Sequence, residues 1–171
     1  MTSDLHEVRF DGGILQRGFW LYVWEVTPVG GRALYYVGRT GDSSSTNAQS
    51  PFNRMGQHLG FARNSNMLRR HLGERGVEPE RCVFRLVALG PLEKESTAES
   101  RDEHDVRRDQ VAAMEQALAE VLTAAGCRVM NRVVSRKALD GARFAAVRAA
   151  FASAFPELVR QASVDLAGVD P

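Results

Sequence analysis

Residues 18–27 read GFWLYVWEVT, ten positions dominated by aromatic and β-branched side chains. Such residues suit a pleated, half-buried surface, so the run is a strand. Alternation sets Trp20, Tyr22, Trp24 and Val26 on one face and Phe19, Leu21, Val23 and Glu25 on the other. PVGG at 28–31 is a turn, and strand character resumes over 32–37, so the economical reading is a hairpin that places Tyr22 and Tyr36 on neighbouring strands. The second strand then breaks into GRTGDSSS, which delivers the Tyr36 phenol to an edge. Small polar residues over 41–49 predict a mobile loop.

Ser50-Pro51 supplies an N-cap hydroxyl and a proline suited to the first helical position, and Phe52, Met55, Leu59 and Ala62 follow at helical spacing. Arg54 and His58, four apart, share a face of that helix. Residues 64–66 can cap a second short helix carrying Met67, Leu68, His71 and Leu72, with Gly73 or Gly76 near its end. His71, on the apolar side, reads as packed. A third strand is predicted over 82–89, then a solvated connection of mixed charge over 91–109. A helix over 106–125, ended by Gly126, has an apolar stripe of Val111, Met114, Leu118, Val121 and Leu122. Glu115 lies on or beside that stripe, where a carboxylate is costly unless something pairs with it. Residues 127–134 read as extended. A final helix is expected from Ser135, bearing Phe144, Val147, Phe151 and Phe155 and stopping near Pro156, with frayed residues after it.

The 171 residues, 44% hydrophobic and 25% charged, suit one domain with a single core. A formal charge of +1 excludes a global basic field, so any nucleic-acid contact must be local. Arg39, Arg63, Arg69, Arg70 and Arg75 make the middle of the chain such a patch, able to track a phosphate backbone unless Glu74, Glu78 and Glu80 neutralise it. Cys82 and Cys127 lack metal-ligand or disulfide-framework spacing and read as core. His6, His58, His71 and His104 are scattered without zinc spacing, and no G-x-x-x-x-G-K-[ST] phosphate loop is present. With no export pattern in MTSDLHEVRFDGG and no apolar run of membrane length, a cytoplasmic setting is the expectation.

An aromatic hairpin, a strand-end tyrosine followed by glycine, a helical arginine and a glutamate in a later helix occur here in an order that resembles the GIY-YIG nuclease superfamily. Trp20-Leu21-Tyr22 stands at the first motif and Tyr36-Val37-Gly38 at the second. Arg54 matches the helical arginine, Glu115 the metal-binding glutamate and Asn131 the asparagine that follows it. His58, one turn after Arg54, is similar to the arrangement in restriction-type members. Trp20 replaces the glycine of the first motif, and Arg39 is the nearest cation to the lysine often found after the second. The resemblance implies an α/β fold with a small, mainly antiparallel three-stranded sheet flanked by helices. The corresponding organisation is an N-terminal extension over 1–17, the nuclease-like domain over 18–134 and a C-terminal helical extension over 135–171 packed on the same domain.

It also implies a metal-dependent endonuclease that cuts DNA, leaving a 5′-phosphate and a 3′-hydroxyl. In that reading Glu115 holds one divalent cation, Mg²⁺ or Mn²⁺. Arg54 forks hydrogen bonds to the phosphate, and Tyr22 or His58 takes the proton of the attacking water. Tyr36 orients a phosphate oxygen or the water, Asn131 braces the site, and Arg39, Arg63, Arg69 and Arg70 contact nucleic acid. A homodimer would suit double-strand cleavage. The competing expectation is a nucleic-acid-binding or protein-interaction module that keeps the fold without cutting.

Overall fold

The computed structural model of the protein describes residues 5–41, 48–62, 66–95 and 101–159. The predicted loop falls largely outside these residues, as do Arg63, Asn64 and the C-terminal residues expected to fray. Three strands form one antiparallel sheet: β1 (Phe19–Pro28) is central, flanked by β2 (Leu34–Arg39) and β3 (Cys82–Glu93). The β1–β2 turn closes through a hydrogen bond from Gly31 N to Pro28 O at 3.0 Å, with Gly30 at φ +70°, a conformation glycine adopts without a Cβ penalty. Trp24 pairs with Tyr36 and Tyr22 with Gly38, so the two phenols are diagonal neighbours on one face.

Alternation along β1 feeds two cores. Phe19, Leu21 and Val23 pack with Val37, Val111, Met114, Leu118 and Leu122, while Tyr22, Trp24 and Val26 pack with Tyr36, Leu68, Leu72 and Met130. Helices therefore cover both faces. Behind one lie α1 (Pro51–Leu59) and α2 (Met67–Gly73), and behind the other α3 (Arg101–Ala124) and α4 (Gly141–Ala152). The fold is α/β, with a three-stranded antiparallel sheet and a C-terminal helix. Each fully buried Leu or Phe contributes about 1.5–3 kcal/mol to holding the layers together. The α4 side chains Phe144, Val147 and Phe151, with Phe155 beyond the helix, sit in the first core. No helix among the described residues is long and apolar enough to cross a membrane.

Four sequence boundaries shift. β3 continues past Leu89 through a cis Gly90–Pro91 bond to Glu93, because it is an edge strand where proline's missing donor is tolerated. α3 begins at Arg101 rather than 106, its first turn carrying Asp102 and Glu103 beside the helix dipole and a Glu103–Arg107 ion pair at 3.4 Å. Residues 127–134 form no strand; they run beside β2, with one parallel bridge from Tyr35 to Val129. The last helix starts at Gly141, where the Asp140 side chain caps it by accepting from Arg143 N at 3.0 Å.

Candidate active site

Four elements bring side chains to the end of β2. Ser50 Oγ accepts from Asn53 N at 3.3 Å and Pro51 opens α1, which sets the register that turns Arg54 and His58 toward the sheet. There the Tyr22 hydroxyl and His58 Nε2 are 2.7 Å apart, both residues buried. The Tyr36 ring meets the same imidazole edge-on, with centroids 5.1 Å apart. Arg54 donates to Gln57 Oε1 at 3.0 Å, and its charge acts on the Tyr22 phenol, pulling that pKa down against burial. With His58 neutral and Nε2 unprotonated, the phenol donates to Nε2; in the other tautomer the roles reverse.

Glu115 comes from α3, on the opposite face of the sheet. Its Oε2 accepts from Arg39 Nε at 3.0 Å, with the two side chains 15% and 20% exposed. A second Arg39 hydrogen bond goes to Gly41 O. Glu115 is close enough to both phenols for its charge to push their pKa values up. The inward placement counted from Val111 and Leu118 is therefore observed, and the partner it demanded is Arg39.

Electrostatics fixes the protonation states. Burial, reinforced by Tyr36 and opposed by Arg54, holds the Tyr22 phenol far above its ordinary value. Burial and then the Glu115 charge push Tyr36 up to about 12. His58 is pulled down to about 4 by burial and then by Arg54, so it stays neutral; its Nδ1 is buried without a hydrogen-bond partner among the described residues. Burial raises Glu115 to about 7 against the pull of Arg39 and Arg54.

Asn131 acts as a backbone mimic: Val37 N donates to its Oδ1 at 3.0 Å and its Nδ2 donates to Val37 O at 2.7 Å. The amide thus pins β2 beside Tyr36 and Gly38. Gly38 itself carries a role that spacing does not reveal. A Cβ there would meet Cε2, Cζ and the hydroxyl oxygen of Tyr22 at 2.5–2.6 Å, so the phenol lies across the space a side chain would fill. Thr40 locks the strand end, accepting from Trp20 N at 2.8 Å and donating to Gly18 O at 2.5 Å.

The expected basic patch is only partly free. Arg39 serves Glu115. Arg69 donates to Leu59 O at 2.9 Å and pairs with Glu80 at 2.8 Å, as the neutralising alternative anticipated for that residue. Arg75 donates to His71 O and Met130 O, whereas Arg70 is exposed, its nearest polar contact being the Met67 sulfur at 3.8 Å. His71 packs its ring against Tyr36 at 5.8 Å, as its apolar position implies.

Comparison with protein-family models, curated proteins and solved structures returns no match to this chain.

Proposed function

We propose that the chain is a divalent-metal-dependent endonuclease that hydrolyses DNA phosphodiester bonds, a GIY-YIG-like enzyme. The observation that carries this reading is the convergence of Tyr22, Tyr36, Arg54, His58 and Glu115, drawn from four elements, into one electrostatically coupled cluster.

The neutral Tyr22–His58 pair gives the general base a defined form. An attacking water passes its proton to the Tyr22 oxygen as Tyr22 passes its own to His58 Nε2; one proton leaves the water and one arrives on the imidazole. Arg54 holds the phenol oxygen and presents charge to the phosphoryl oxygens. Tyr36 stays protonated and donates to the water or to a phosphate oxygen.

Among the described residues no three His, Cys, Asp or Glu side chains gather. Glu115 instead offers a single carboxylate whose second oxygen lies outside the Arg39 pair. That donor set suits a hard cation that keeps most of its water and takes phosphate oxygens. Glu115 would hold Mg²⁺ or Mn²⁺, which when bound supplies Lewis-acid stabilisation of the phosphoryl charge.

The test is nicking of supercoiled plasmid by purified protein with Mg²⁺ or Mn²⁺. We expect chelator to stop cleavage, and Glu115→Ala or Arg54→Ala to abolish it with the circular-dichroism spectrum unchanged. A folded double variant that still cuts would reject the mechanism. The Arg39–Glu115 pair favours one competing reading, a nucleic-acid-binding or protein-interaction module, because an internal ion pair gives the buried carboxylate a structural reason to exist. Salt-sensitive DNA binding with no nicking would select it.

A further inference from the structure

Just past the C-cap of α1, three residues beyond His58, Phe61 is 80% exposed. The ring is nonetheless held. The Arg69 guanidinium carbon lies 4.3 Å from its centroid, and Arg69 is itself anchored to Leu59 O and to Glu80. One face of the phenyl ring is thus backed by a fixed planar cation, and most of the remainder meets solvent. Met67 and Arg70, at the start of α2, are also exposed. An isolated ring of this kind, rimmed by arginines, lacks the area of a protein-docking face. It has the size of one nucleobase.

We propose that Phe61, backed by Arg69, is a stacking platform for an unpaired nucleobase, and that the adjoining site acts on DNA with a single-stranded segment beside the cut rather than on continuous duplex. The first half stands on the platform alone; the second rests on the nuclease reading. In continuous duplex both faces of each base are already stacked, so only an unpaired base offers a face to Phe61. Phe61 lies seven positions beyond Arg54, on the order of 10 Å at ~1.5 Å per residue. That distance is about three stacked nucleotides at ~3.4 Å each, which puts the stacked base a few nucleotides from the phosphate that Arg54 would hold.

The test uses the full chain in chelator, so that no cleavage intrudes. Binding is measured on a single strand and on a matched duplex, each carrying one 2-aminopurine, with fluorescence reporting stacking. Phe61→Ala should weaken single-strand binding by about 5- to 100-fold and abolish the fluorescence change, as removing one base–aromatic stack does. Phe61→Trp should retain both, and duplex binding should stay within about twofold, the range expected where no stack is lost. Equal loss on both forms, or no loss on either, overturns the platform. With Mg²⁺ restored, wild-type protein should cut forked DNA in preference to duplex, and Phe61→Ala should lose that preference. Stacking without any cleavage would leave the platform standing and remove the nuclease reading; cleavage with no preference for the fork would overturn the substrate assignment alone.

Discussion

Gly38→Ala tests the packing on which the cluster depends. A Cβ at this position would lie 2.5–2.6 Å from the far end of the Tyr22 ring. Non-bonded carbon contacts sit near ~3.5 Å, so the ring must withdraw by about 1 Å. Tyr22 is 2% exposed, and overpacking of this sort costs about 1–3 kcal/mol. Withdrawal also stretches the 2.7 Å Tyr22–His58 contact past hydrogen-bonding range, at about 1 kcal/mol more. A loss of about 2–4 kcal/mol lowers Tm by roughly 5–15 °C in a chain of this size. The control is a double-mutant cycle with Tyr22→Leu, which removes the far end of the ring. In that background Gly38→Ala should cost less than about 0.5 kcal/mol. Denaturant unfolding reads all four proteins. An equal cost for Gly38→Ala with and without the tyrosine would refute the reasoning, because the clash would then not be its cause.

Three further outcomes follow from the same geometry. Arg39 pulls the Glu115 pKa down from where burial would put it, so Arg39→Gln should move the alkaline-rising limb of the proposed metal-dependent cleavage from near pH 7 to higher pH; an unmoved limb would separate Glu115 from metal binding. Glu115, raised from 4.5 to about 7, makes the fold less stable as pH climbs through that window, whereas His58, lowered from 6.5 to about 4, makes it more stable as pH climbs through 4–6.5. The two slopes oppose each other in the native protein. Glu115→Gln should therefore uncover a stability rise on the order of 3 kcal/mol between pH 4 and 7, checked by urea unfolding across pH, and a flat profile would contradict the buried neutral histidine. Asn131→Ala leaves the Val37 N–H and C=O without their partners and should cost about 2–4 kcal/mol by the same unfolding measurement; a cost under about 0.5 kcal/mol would contradict the pinning role.

The hairpin, the α1 cap and the α3 stripe were legible because each is a local pattern: strand alternation, a Ser-Pro start, a helical repeat. Local counting also showed that Arg54 and His58 share a face and that Glu115 points inward. What meets them was hidden. Tyr22 is 36 positions from His58 and Arg39 is 76 from Glu115, and no periodicity encodes such pairs. The start of α3 was missed because its first turns are held by ion pairs and the dipole rather than by an apolar stripe. Residues 127–134 carry strand-like composition, yet Asn131 turns its amide to β2 and replaces the ladder that a fourth strand would have made. Tripeptide spacing marks Gly38 as a glycine but does not say that a phenol occupies its missing side chain.

The alternation of β2 sorts the charged side chains at the strand end. With Tyr22, Tyr36 and His58 neutral, the cluster holds two guanidiniums, Arg39 and Arg54, against one carboxylate, Glu115, among the described residues. The sheet keeps the charges apart: Val37 and Arg39 alternate toward α3, while Tyr36 and Gly38 alternate toward α1. Gly38, which has no side chain there, lets the Tyr22 phenol sit across the strand. Arg39 then decides the state of Glu115. While it holds the carboxylate, burial and the ion pair act against each other on Glu115, so a change that draws Arg39 away leaves burial to raise the Glu115 pKa further.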